Sequence, residues 1–135
     1  MVKLSVSNGL QGFLQSCASC FPLGGIDTDL MVAAKKSDNL AAVKRIITKN
    51  VNLLIDGCKS FKIGKSGVPK RRFANYSGYS RMVLLCQSRS ASVIEHLEAY
   101  YNTKYRNHAK CDNINGGSAA DMSGSGLFFL YVVLR

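Results

Sequence analysis

The chain is poor in negative charge. Eight Asp and Glu stand against eighteen Lys and Arg, which leaves a formal net charge of +10 at pH 7 over 135 residues. A balance this far from zero constrains partners more than fold, favouring polyanions such as nucleic acid or an anionic membrane. Long apolar runs are missing too: no stretch approaches eighteen consecutive apolar residues, and the most apolar run, LFFLYVVL over 127–134, has the length of a buried strand. A membrane-spanning helix is therefore not expected. Nor is a second domain or a repeat array, because the chain has neither a low-complexity linker nor an internal repeat. The five cysteines (Cys17, Cys20, Cys58, Cys86, Cys111) are an odd number. The stretch MVKLSVSNGLQGFLQSC is interrupted by polar residues and glycine where a signal peptide needs an unbroken apolar run, so an intracellular, reduced protein with no membrane partner is expected. Histidine is scarce. His96 follows Glu95 on a solvent-facing part of a helix and His108 lies in a basic loop, and neither has the local frame of Ser/His/Asp or Cys/His catalysis. Cys17-x-x-Cys20 with His108-x-x-Cys111 is a weak zinc pattern, and buried structural thiols are the commoner outcome.

What the chain does contain is enough apolar material, 47% of its residues, for one hydrophobic core. Residues 1–26, broken by Gly9, Gly12, Pro22, Gly24 and Gly25, form an N-terminal extension, and 27–135 form a single domain. Helix starts are expected at Asp27/Thr28 and at Ser37/Asp38, the second opening an amphipathic helix with Leu40, Val43, Ile46 and Ile47 on one face. VNLLI (51–55) then reads as a strand, Asp56-Gly57 as a hairpin turn, and SFKIG as the returning strand, ended by Gly64 and Gly67. VPKRRFANY opens a short helix with Pro69 in its first turn, YSRMVLLCQS (79–88) supplies a third strand, and LFFLYVVLR closes the sheet. The expected fold is α/β (α+β), with a small, mainly antiparallel sheet of about three to four strands flanked by helices.

In SASVIEHLEAYYNTKY, Ile94, Leu97, Tyr101 and Tyr105 form one helical stripe, and Glu98 points along it. A carboxylate on the packed side of a helix costs several kcal/mol in desolvation unless a cation or metal meets it. Glu95, one residue after Ile94, falls at the stripe's edge.

The densest cationic stretch is SFKIGKSGVPKRRFANY (60–76), where Lys62, Lys65, Lys70, Arg71 and Arg72 alternate with two glycines and with Phe61, Phe73 and Tyr76. Cations next to aromatics that can stack on bases suit a nucleic acid, and the competing explanation is a solvated turn. The stretch Phe61-Lys62-Ile63-Gly64-Lys65, with Arg72 eight residues after Gly64, resembles the second half of the GIY-YIG nuclease motif. LEAYYNTKY followed by NINGG extends the resemblance over roughly residues 50–117. It implies a GIY-YIG-like fold and metal-dependent endonucleolytic hydrolysis of DNA, with Mg²⁺ or Mn²⁺ as cofactor. It further implies that Arg72 binds the scissile phosphate, Glu98 binds the metal and Asn113 is the polar residue near the site, with Arg71 and Glu95 as register alternatives. Lys62, Lys70 and Arg71 join Asn113 as nucleic-acid contacts. The chemistry agrees, since phosphodiester cleavage needs a cation on the non-bridging oxygens, a stabilised leaving oxygen and a base for water. The family's first-motif tyrosine is missing from VNLLI, and its second-motif tyrosine position holds Lys62 or Phe61. Lys62, Lys65, Tyr76 and Tyr79 are candidate replacements. If that loss ends catalysis, a nucleic-acid-binding module remains; a basic protein-interaction domain is the other alternative.

Overall fold

The computed structural model describes residues 25–112 and 126–135. Its elements run β1 (Ile26–Asp27), β2 (Val32–Ala33), α1 (Leu40–Asp56), β3 (Phe61–Ser66), α2 (Pro69–Ala74), β4 (Arg81–Ser88), α3 (Ala91–Tyr105) and β5 (Phe128–Leu134). The three long strands lie in the order β4, β5, β3, each antiparallel to its neighbour, and the two-residue strands β1 and β2 both add in parallel to the outer edge of β4. The class is mixed α/β: an open, mostly antiparallel sheet flanked by helices, as expected from the sequence.

Helix α1 is where the sequence misleads. Asn39 caps it, its side chain accepting the Ala41 N–H at 3.0 Å. The helix then continues through VNLLI, the expected strand, and the expected Asp56-Gly57 hairpin is its C-terminal end, where the Gly57 N–H bonds to the Leu54 and Ile55 carbonyls. Ile47, Val51 and Ile55 are all buried and recur every four residues, so a helical stripe packed on the sheet decides the conformation. A short apolar run does not by itself distinguish the two alternatives. The expected helix start at Asp27/Thr28 is also corrected: Asp27 ends β1, and its Oδ1 accepts the Asp29 N–H at 2.8 Å in a side-chain-capped turn that leads on to β2.

With the hairpin gone, β3 has a different partner. It runs past Gly64 to Ser66 and pairs with β5 from Phe61↔Leu134 to Ser66↔Phe129. β5 is thus the central strand, and its alternation defines both faces of the sheet. Leu130, Val132 and Leu134 join Phe61, Ile63, Val83 and Leu85 under α1 and α3, in the larger apolar cluster. Phe129, Tyr131 and Val133 join Met82, Leu84 and the Phe73 of α2 on the other face. The expected stripe of α3 is in place: Ile94, Leu97 and Tyr101 are fully buried and Tyr105 nearly so. Each large apolar side chain removed from water in this way stabilises the fold by about 1.5–3 kcal/mol.

Candidate phosphate-binding site

The connection from β3 to β4 builds the site. Ser66 Oγ accepts the Val68 N–H at 2.9 Å, turning the chain so that Pro69 occupies the first position of α2, where its missing N–H costs nothing. Phe73, buried, pins this short helix to the sheet. Arg72, one residue before that anchor, is then directed back over the sheet towards Tyr131.

Tyr131 stands on the central strand opposite Gly64 and is fully buried. Its ring crosses the glycine: a β-carbon at Gly64 would lie 2.7 Å from the ring carbon that carries the hydroxyl. Only glycine leaves that path open. The hydroxyl emerges beyond it, accepting a hydrogen bond from Arg72 Nε at 3.3 Å and sharing one with the Tyr76 hydroxyl at 2.6 Å. The Tyr76 ring also has two cations beside it, Lys62 Nζ at 5.7 Å and Arg72 Cζ at 5.5 Å from its centroid. Burial first, then the bond with Tyr76, pushes the Tyr131 phenol above its ordinary range, so it is a neutral hydroxyl at physiological pH. Burial, the largest single influence, pulls Arg72 downward, but the interactions with Tyr131 and Tyr76 together outweigh it and the guanidinium stays charged.

A second layer holds Tyr76 in place. Tyr79 meets its ring edge-on at 5.5 Å and donates a 2.6 Å hydrogen bond to Asp112 Oδ2. Asp112 also pairs with Arg135 NH2 at 3.4 Å, and the Arg135 guanidinium lies 5.1 Å from the Tyr79 ring centroid. Tyr79 is thus committed to a carboxylate, and among the candidate replacement tyrosines Tyr76 is the one adjoining Arg72.

The structure separates Arg72 from Glu98. Glu98 is buried as expected, and Glu95 is exposed. The cation meeting Glu98 is Lys65, whose Nζ lies 2.7 Å from Oε1. Lys65 alternates with Gly64 along β3, so the ion pair faces α3 and the larger cluster while Arg72 and Tyr131 face α2. A shared pocket for Arg72 and Glu98 is therefore not formed. Lys70 and Arg71 are exposed on α2 beside Arg72, Lys62 is half-buried, and Asn113 lies outside the described residues, as do Cys17 and Cys20.

Glu98 Oε1 is held by Lys65, and among the described residues its Oε2 has no hydrogen-bond partner and no group of three or more His, Cys, Asp or Glu side chains is placed to hold an ion. A metal on Glu98 would be on the opposite face of the sheet from Arg72, so these residues do not fit an ion that serves a phosphate bound at Arg72.

Tyr131 is the functional candidate that motif order missed. Its signal was present: the one hydroxyl in an otherwise wholly apolar run, which must find a partner once buried. Comparisons of the chain with protein-family models, curated proteins and solved structures give no match. No helix among the described residues is long and apolar enough to cross a membrane.

Proposed function

We propose that the chain is a DNA endonuclease of GIY-YIG type whose working face is the α2 side of the sheet. One observation carries this: the Arg72–Tyr131–Tyr76 hydrogen-bonded chain assembled across Gly64. On this reading the part of the tyrosine lacking from VNLLI falls to Tyr131, which lies opposite Gly64 on the strand antiparallel to the Lys62-Ile63-Gly64 strand.

The roles follow from exposure and charge. Arg72, half-exposed, offers its planar fork to the non-bridging oxygens of a phosphate. Lys62, Lys70 and Arg71 add longer-range attraction for the backbone. Tyr76 is the half-exposed member of the tyrosine pair and the one able to meet an attacking water; Tyr131, buried and neutral, orients both Tyr76 and Arg72. Lys65 and Glu98 act as a structural ion pair.

A second reading, binding without cutting, is favoured by the removal of Glu98 from this face. Supercoiled plasmid separates the two. Nicking by the wild type that falls about 10²–10³-fold in Arg72→Ala supports the endonuclease. Retention of plasmid binding with no nicking at any Mg²⁺ or Mn²⁺ concentration supports the binding module. Nicking unchanged in Arg72→Ala would reject the site.

A further inference from the structure

On the face turned away from Arg72, α1 and α3 leave a groove of about 910 Å³ between them. Its rim carries Lys44, Arg45, Lys49 and Lys104 against a single acid, Asp56, and its apolar lining includes Leu53 and Tyr100. Leu53 is 66% exposed, the most exposed large apolar side chain among the described residues. None of the four cations forms an ion pair among the described residues.

The walls are fixed. Tyr101 reaches from α3 to α1, donating to the Lys44 carbonyl at 2.8 Å and sharing a hydrogen bond with Thr48 at 3.0 Å, and Tyr105 donates to Asn52 Oδ1 at 2.7 Å. A groove clamped in this way is ordered before anything enters it, which lowers the entropic cost of binding.

We propose that this groove docks an acidic peptide segment of a partner protein, one that places apolar side chains on Leu53 and carboxylates on the four cations. A second copy of the chain is a poor occupant, because two bodies of net charge +10 repel. A nucleic acid would use the cations but leave Leu53 uncovered. The exposed aromatic is also poorly placed for bases, since Lys44 Nζ lies 4.2 Å from the Tyr100 ring centroid and covers one face, while Tyr101 abuts the ring edge-on at 4.9 Å. An acidic amphipathic helix meets both demands, charge on the rim and apolar surface in the groove. Docking there leaves the Arg72 face open, so the inference does not depend on the endonuclease reading.

The test is fluorescence anisotropy on the full chain, using a labelled helical peptide of Glu and Leu with Leu at i, i+3, i+4 and i+7. A Glu/Ser peptide of equal charge and a short single-stranded DNA serve as competitors. The expected result is peptide binding that the Glu/Ser peptide displaces poorly and that weakens at least about fivefold in both Leu53→Ala and Lys49→Glu, exposed positions at which the fold is checked by circular dichroism. Equal binding of the Glu/Ser peptide, insensitivity to Leu53→Ala, or displacement of the peptide by the DNA at lower concentration than by unlabelled peptide would overturn the proposal.

Discussion

The two faces of the sheet are made from alternate residues of the same three strands, yet they are built differently. The α1/α3 face is a large apolar cluster holding one ion pair, Lys65 with Glu98, sealed between a strand and a helix. The α2 face is a smaller cluster in which a short helix leaves room for a glycine, the buried Tyr131 and, towards the surface, the half-exposed Tyr76 and Arg72. The difference teaches where chemistry can reside. A cation and a carboxylate paired in a core contribute to a defined structure, whereas Arg72, among the contacts described, bonds the Tyr131 hydroxyl and no carboxylate.

The largest expected effect breaks the sealed face. Glu98→Ala removes the carboxylate paired with Lys65 in a nearly buried position and should cost about 3–5 kcal/mol, read from urea unfolding, while Lys65→Met combined with Glu98→Leu should come close to wild type. If the single and double variants are equally unstable, the ion pair is not what the acid is there for. Leu97→Ala, on the same face, should cost about 2–5 kcal/mol, and a loss much smaller than this would show that the larger cluster is not the main source of stability.

The open face should respond in function before stability. Gly64→Ala forces a methyl group into the Tyr131 ring; it should cost about 1–3 kcal/mol and also depress plasmid nicking, because Tyr76 and Arg72 lose their common anchor. A variant that nicks normally would show that the crossing of Gly64 by Tyr131 is not needed. The smallest effect is a pH dependence. Burial pushes the Tyr101 phenol up to about 12, and Tyr131 is pushed upward for the same first reason. A phenol that is a weaker acid when folded stabilises the fold fully below its unfolded value of about 10. That contribution is lost as pH rises through the window up to about 12. Thermal midpoints should thus be insensitive to these groups below about pH 10 and fall above it, with phenolate absorbance lagging that of a denatured control. Superimposable titrations would contradict the burial assigned to these rings.

Much of this contrast was legible in the sequence. The 3–4 spacing of Ile94, Leu97, Tyr101 and Tyr105 fixed which side of α3 is packed, and with it the burial of Glu98 and the need for a cation. Pro69 marked the start of α2. Local spacing failed where a decision rested on distant partners. VNLLI is compatible with strand and helix alike, and packing of Val51 and Ile55 on the sheet settled it. Asp56-Gly57 suits a hairpin turn or a helix end equally, so local spacing points to a nearby partner for the Lys62-Ile63-Gly64 strand, whereas that partner lies at the C-terminal end. Tyr131, on that distant strand, is invisible to local spacing for the same reason. Order along the chain also said nothing about faces: Gly64 and Lys65 are neighbours in sequence but point to opposite sides of the sheet, which is why Arg72 and Glu98 do not meet.

The most direct test of the central claim, that phosphate chemistry belongs to the Arg72 face and not to Glu98, is the rate of supercoiled-plasmid nicking by Arg72→Ala and by the Lys65→Met/Glu98→Leu double variant, each relative to wild type. The expected result is a loss of about 10²–10³-fold in the first and a rate within a few-fold of wild type in the second. Nicking that survives Arg72→Ala but vanishes in a folded double variant would contradict it.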